Sequence, residues 1–189
     1  MPRYNNYAYI DGVNLHLTFQ SKDLDWEIDY QKLFDLLRYK HGIVVAHYFL
    51  GKTPKTQPIH DNLVSYGYNV KLKESSKFNT DKMVCSNCGA IVEESEERYK
   101  ADVDSFLTMQ VISDMDSFNK AVIITSDGDY DELVKRLYRQ NKLKLLFAPC
   151  KTGCSTLLKK AAKEKIAFMD EYRDGLEKVQ ESSYRNSDL

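Results

Sequence analysis

Alternating strand and helix signals predict an α/β fold built on a parallel sheet covered by helices on both sides. Two patterns carry this. Short β-branched and aromatic runs such as IVVAHYFL (43–50) and AVII (121–124) are apolar on both faces, as strands buried on both sides must be. Segments with helical spacing lie between them, so the strands must be joined by crossovers. Size and composition agree. The chain has 189 residues, 42% hydrophobic and 29% charged, enough for a single globular domain with its own core.

The elements follow in order. YAYI (7–10) reads as a strand ending at Asp11-Gly12. Residues 15–28 carry mixed signals and stay unassigned. Asp29 is placed to cap a helix over 30–41, with Tyr30, Leu33, Phe34 and Leu37 at helical spacing and Gly42 as the stop. The strand at 43–50 follows. Residues 52–58 read as a loop, 59–66 as a short helix closed by Gly67, and 68–72 as a strand. Residues 73–99 break the rhythm. They are polar, contain Cys85-Ser-Asn-Cys88-Gly89, and read as an insertion. A helix returns over 101–115, with Val103, Phe106, Leu107 and Val111 on one face. Strand 120–125, helix 130–140, strand 143–148, helix 155–164 and strand 166–169 complete the alternation. The expected organisation is one domain over 1–170, with the insertion at about 73–99. A polar tail, expected to be frayed, follows over 171–189.

Net charge is −1, so no global field announces nucleic acid, although charge can be segregated locally. The opening MPRYNNYAYIDG has no apolar signal-peptide core, and no apolar run reaches membrane-spanning length. A cytoplasmic location without a membrane partner is expected. The four cysteines then read as thiols or metal ligands before disulfides.

Right-handed crossovers line up the strand-to-helix loops along one sheet edge, where open α/β sheets bind ligands. Asp11 follows the first strand. Asp127 and Asp129, in TSDGDYD (125–131), follow the strand at 120–125. Asp102 and Asp104 open the helix that leaves the insertion. Each has a plainer reading as a turn or helix cap. Together, with no Lys or Arg in the same turns, they would repel one another unless a cation sits among them. Magnesium favours a few carboxylates plus waters, and such a site suits phosphodiester hydrolysis. Asp102 and Asp104 point to nearly opposite sides of a helix, so one of them faces the site. Asp104 is preferred, because it shares a stripe with Leu107 and Val111. Gly128 is expected to let the chain turn between two inward-facing acids. Asp131 is expected in the first turn of the next helix, beside the positive dipole end, without chemistry.

Three ordered motifs carry a resemblance. Tyr9-Ile-Asp11-Gly-Val-Asn14-Leu15, Lys100-Ala-Asp-Val-Asp104 and Ile124-Thr-Ser-Asp127-Gly-Asp129-Tyr130 with Leu133-Val-Lys-Arg-Leu137 resemble the motifs of the NYN domain, LabA-like branch, among the PIN-like nucleases. Ala148-Pro149 and the run from Ser155 to Ala161 are similar to that family's closing loop and helix. The resemblance spans about residues 7–170. It implies a three-layer α/β/α sandwich with a central mainly parallel sheet, PIN-like or Rossmann-like. It also implies a metal-dependent ribonuclease, a hydrolase acting on RNA with Mg²⁺ or Mn²⁺. Asp11, Asp104, Asp127 and Asp129 match the acidic, metal-holding site. Asn14 and Ser126 match polar residues that orient a carboxylate or a metal-bound water. Two departures stand out. The middle motif is one residue longer between its Lys and Asp, and Gln110 stands near where the family often has another acid. A rival reading is therefore a non-catalytic RNA-binding or regulatory adaptor. A small-molecule phosphatase of the HAD type falls behind both, because Gly12 and Val13 follow Asp11 where those enzymes need a second Asp. A homodimer is left open.

The pair Cys85 and Cys88 is half of a structural zinc knuckle. Cys150 and Cys154 lie in a loop that topology places on the same sheet edge. A shared Zn²⁺ at Cys85, Cys88, Cys150 and Cys154 would pin the insertion beside the acids. The alternatives are unrelated thiols or a redox pair, with His47 and His60 as outside ligand candidates. Lys71, Lys73, Lys77 and Lys82 flank the insertion, and Lys151, Lys159, Lys160 and Lys163 lie in the last loop and helix. They form either a basic rim for RNA or a solvated face. Lys100, Lys151 and Lys159 are the expected phosphate contacts. Tyr9, Phe19 and Tyr130 are expected in the core or stacked on bases.

Overall fold

The computed structural model describes residues 4–21, 24–54, 56–80, 83–84, 87–88, 91–93 and 97–179. Its first strand, β1 (Asn6–Asp11), runs straight into α1 (Gly12–Gln20). Val13, Leu15, Leu17 and Phe19 alternate with polar residues, the period of a strand, yet the segment is helical. The Asp11 side chain accepts from the Asn14 N–H and caps the first turn. Only Leu15 and Phe19, four residues apart, reach the core.

Helix α2 (Tyr30–His41) starts at the Asp29 cap and stops at Gly42, whose φ of 64° is left-handed. It leads into β2 (Ile43–Lys52) and α3 (Thr56–Tyr66). Helix α3 begins three residues before the expected 59. Its first residue, Thr56, ties the entry by donating to the Gly51 carbonyl (3.0 Å) and accepting from Thr53 N (3.0 Å). Pro58 sits in the first turn, where its missing N–H costs nothing. Strand β3 (Asn69–Glu74) then leads into the insertion. The described residues of the insertion form β-ribbon strands. Strands β4 (Ser76–Asn79) and β7 (Glu97–Lys100) pair antiparallel, as do β5 (Met83–Val84) and β6 (Ile91–Glu93) further out.

The chain returns as α4 (Val103–Ser113), β8 (Ala121–Ile124), α5 (Asp131–Arg139), β9 (Leu143–Ala148), α6 (Thr156–Ala162) and β10 (Ile166–Phe168). The main sheet has the order β10-β9-β8-β1-β2-β3 and is parallel throughout. Side chains alternate between two cores. Tyr9, Ala121 and Ile123 pack under α4, α5 and α6. Ala8, Ile10, Val122 and Ile124 pack under α1, α2 and α3. The predicted three-layer α/β/α arrangement is what forms.

The expected frayed tail is corrected as far as residue 179. A 3-10 turn (Met169–Tyr172) and α7 (Arg173–Leu176) bury Met169 and Leu176 in the second core. Ile28 and Glu177 form an antiparallel bridge, flanked by Asp29 N–H to Leu176 O (2.7 Å) and Lys178 N–H to Glu27 O (2.8 Å). Leu176 is a single apolar anchor in a charged stretch, too sparse a pattern to read from sequence. Among the described residues, no helix is long and apolar enough to cross a membrane.

Candidate active site

The chain moves outward from β1 through β2 to β3, then returns to lay β8 on the other side of β1. Strand order therefore reverses between β1 and β8. The loops leaving these two strands diverge to opposite faces and open a crevice at the carboxyl edge. Asp11 ends β1 and Asp127 follows β8, so both stand at that crevice.

Asp11 is 3% exposed. One oxygen accepts from Asn14 N–H (3.0 Å), the other from the Thr125 hydroxyl (3.2 Å). The Thr125 oxygen in turn accepts from Asp127 N–H (3.1 Å), which links the two loops. Burial pushes the Asp11 carboxyl up to about 6. The Asn14 N–H opposes this, while the charges of Asp104 and Asp127 add to it.

Asp104, Asp127 and Asp129 offer carboxylate oxygens within 4.8 Å of one another. Among the described residues they are the one group of three or more acids, histidines or cysteines so arranged. Asp127 also accepts from Asp129 N–H (3.1 Å) and shapes the 3-10 turn Gly128–Tyr130. The Tyr130 hydroxyl donates to Asp104 (2.7 Å). Burial, then Asp11 and Asp104, hold the Tyr130 phenol well above its usual range, so it stays a donor. No ion pair among the described residues involves Asp11, Asp104, Asp127 or Asp129. Asp102 is committed elsewhere. It caps α4, accepting from both the N–H and the hydroxyl of Ser105.

Several expected roles change. The Asn14 side chain accepts from Ser126 N–H (2.9 Å) and Ser126 Oγ (2.8 Å). These two residues clamp α1 to the loop after β8; it is the Asn14 backbone, not its amide, that orients Asp11. Gly128 has no left-handed φ. It marks a close approach, since a Cβ there would lie 2.7 Å from Ser155 Oγ and would make that side chain shift. That contact, with Ser155 N–H to Ser126 O (3.0 Å), presses the loop before α6 against the acidic turn. Lys159 donates to the Lys151 carbonyl (2.8 Å), so its ammonium is engaged within that loop. Lys151 itself is exposed. Lys100 lies near Asp102, whose pKa is lowered first by its Ser105 bonds and further by Lys73 and Lys100. Gln110 turns away from the acids and binds Asp114 (2.9 Å). Asp131 pairs with Lys135 (2.7 Å) on α5.

Thr125 and Tyr130 are site residues that sequence reasoning missed as such. The signal was present in TSDGDYD. A hydroxyl at the end of a buried strand and a buried tyrosine both need polar partners, and the nearest are the acids.

Cys85 lies outside the described residues. Cys88 is exposed, while Cys150 and Cys154 are buried. Cys150 Sγ accepts from Gly153 N–H (3.3 Å). Burial pushes the Cys154 thiol up, with nearby Cys150 adding to this and Lys159 opposing.

In a parallel α/β/α sandwich, carboxylates clustered at the switch point stand where such folds bind their ligands. The NYN domain model matches residues 7–171. The chain belongs to the NYN domain family of the PIN-like superfamily, whose function is nuclease-like and whose nucleases typically use divalent metals. A protein of unknown function from Vibrio parahaemolyticus, VPA0982, has a similar crystal structure. Its TM-score is 0.66 at 17% identity, covering 94% of this chain and 99% of that one. At that identity the likeness speaks for the fold alone. No curated protein matches the chain.

Proposed function

We propose that the chain is a LabA-like NYN ribonuclease that hydrolyses RNA phosphodiester bonds with Mg²⁺ or Mn²⁺. The single observation that carries this is the Asp104, Asp127 and Asp129 cluster at the switch point, with buried Asp11 beside it and, among the described residues, no cation paired to any of the four. Carboxylate oxygens without nitrogen or sulfur ligands suit a hard divalent ion. Asp104, Asp127 and Asp129 would hold it, with Asp11 behind them. When bound, the ion would polarise a phosphoryl oxygen and lower the pKa of an attacking water.

The chain's own residues prepare this site. Tyr130 fixes the Asp104 carboxylate, while Thr125 and the Asn14 N–H fix Asp11. The Asn14–Ser126 clamp holds the two loops at one separation, so the acids need no rearrangement to act. Exposed Lys100 and Lys151 would take flanking phosphates of the RNA backbone. The test is RNA cleavage in Mg²⁺ or Mn²⁺ by wild type, Asp11→Asn and Asp127→Asn. Cleavage that needs both carboxylates supports the nuclease. Equal, residual cleavage by all three with RNA binding intact supports an adaptor instead, a reading that Gln110 in place of an acid favours.

A structural zinc at Cys85, Cys88, Cys150 and Cys154 is a separate proposal, made although the described three, exposed Cys88 and buried Cys150 and Cys154, do not converge as one ligand group in the structure. Its support is the Gly153 N–H to Cys150 Sγ bond, the kind that favours a coordinating thiolate. Metal analysis of the purified protein tests it: zinc well below one per chain removes the site.

A further inference from the structure

Helix α1 turns two large apolar side chains outward. Val13 is 40% exposed and Leu17 is 61% exposed, and their four-residue spacing puts them on one face. Ile59 of α3 and Tyr99 of the β-ribbon are also large, apolar and exposed. All four line one cavity of about 520 Å³, together with buried Tyr48, Ala101 and exposed Lys100. Apolar surface gathered from three separate elements into one concavity marks a binding site more than scattered exposure does.

The cavity adjoins the acids on two sides. Gly12 lines it and is the residue after Asp11; Lys100 and Ala101 line it and precede the turn that carries Asp104. Adjacent residues stand about 3.8 Å apart at Cα. Gly12 is packed so closely that a Cβ would meet Tyr48 at 2.2 Å and the Phe49 carbonyl at 2.5 Å. Tyr48 in the cavity lining and the deepest acid are thus fixed by the same contact. Lys100 brings a cation to the mouth, and the charge of neighbouring Lys73 is felt at Asp102. The adjoining groove of about 1400 Å³ has the opposite character, with Asp25, Glu27, Asp29 and Asp174 against Lys32 and Lys178. A polyanion is repelled there and accepted here.

We propose that the cavity between α1 and the inserted ribbon is a base subsite: it holds one unpaired nucleobase of the strand whose phosphate lies on the acidic cluster. This rests on the nuclease reading above. The apolar walls and the Tyr99 ring suit the face of any base, and the lysine at the mouth suits the phosphate attached to it. Recognition is by stacking and burial, with little base preference. The ribbon is the outer wall of the subsite.

The test is equilibrium binding of a short fluorescent single-stranded RNA to full-length Asp127→Asn protein in Mg²⁺, which removes cleavage from the measurement. Tyr99→Ala and Leu17→Glu, added singly, are expected to weaken binding roughly tenfold. RNAs with one abasic nucleotide, scanned along the strand, should show a similar loss at one position, and that loss should vanish in the Leu17→Glu background. Both side chains are exposed, so thermal unfolding should stay near that of the parent. Unchanged affinity for both variants and for every abasic strand overturns the subsite, even where cleavage still needs Asp127. Base-dependent binding in a protein that cleaves nothing upholds the subsite while the nuclease reading fails. A Leu17→Glu change that converts a dimer to a monomer without altering RNA affinity makes the face a self-interface and overturns the proposal.

Discussion

Two carboxylates meet β1 within three residues of each other, and their surroundings are opposite. Asp114, at the end of α4, accepts from the Tyr9 hydroxyl (3.0 Å) and from Gln110 (2.9 Å and 3.0 Å). His47 stands 3.4 Å away. Burial lowers the His47 pKa against the pull of Asp114; the two hydrogen-bond donors, Tyr9 and Gln110, are neutral groups, and one carboxylate is enough for them. Asp11 receives two donors of its own, but Asp104, Asp127 and Asp129 crowd the same crevice with no cation paired to them among the described residues. In the first cluster Tyr9 and Gln110 satisfy the carboxylate, while the buried His47 Nδ1 has no partner. The second is left short of positive charge, which stabilises nothing in the free protein and makes sense when a cation binds.

The largest expected effect separates the two clusters by function. Asp127→Asn or Asp104→Asn should lower RNA cleavage by about 10²- to 10³-fold. Asp114→Asn, assayed per folded molecule, should stay within a few-fold of wild type. Equal losses at both clusters would break the distinction.

A comparable effect follows from pH. The folded pKa of Asp11, about 6, lies above its ordinary value of 3.8. The fold therefore favours the protonated form. The stability it contributes is complete below pH 3.8 and is lost as pH rises through about 6, a change of up to about 3 kcal/mol. Denaturant unfolding of metal-free wild type against Asp11→Asn across pH 4 to 7.5 isolates it. Divalent ions should act in the other direction, raising Tm more at pH 7.5 than at pH 5, because binding favours ionised carboxylates.

Asp114→Ala should destabilise by about 2 kcal/mol, since it leaves the Tyr9 hydroxyl buried without its acceptor. Denaturant midpoints read this directly. Asn14→Ala should reduce cleavage about tenfold by freeing the two loops, with Ser126→Ala milder, because the Ser126 backbone N–H also bonds to Asn14. The smallest effect sharpens the contrast most. Asp104→Asn in EDTA should leave stability unchanged or raise it by about 1 kcal/mol, as crowding among the acids is relieved. A loss as large as that of Asp114→Ala would mean the acidic cluster is structural after all.

Much of the fold was legible where signals are local. The Asp29 cap and Gly42 stop of α2 read directly from the chain, as did the buried strands at 43–50 and 121–124. Helix α1 was not, because its alternating apolar residues carry strand periodicity while the Asp11 cap and the close packing of Gly12 on Tyr48 make it helical. Of the candidate site, the acids were visible as residues, but their partners were not. That Tyr130 serves Asp104, and that Asn14 holds Ser126, depends on contacts between residues 26 and 112 positions apart.

The sequence by itself determined the alternation of the main-sheet strands with most of their helices and the presence of acids after β1 and β8, because capping and apolar period act over a few residues. The tertiary structure alone decided three things. It set the Tyr130 hydroxyl on Asp104, the acid that helical spacing had already singled out over the capping Asp102. It drew residues 173–178 onto the core beside Ile28. It also gathered Val13, Leu17, Ile59 and Tyr99 around one cavity. Each of these depends on which distant segments pack together, and no local spacing along the chain encodes that.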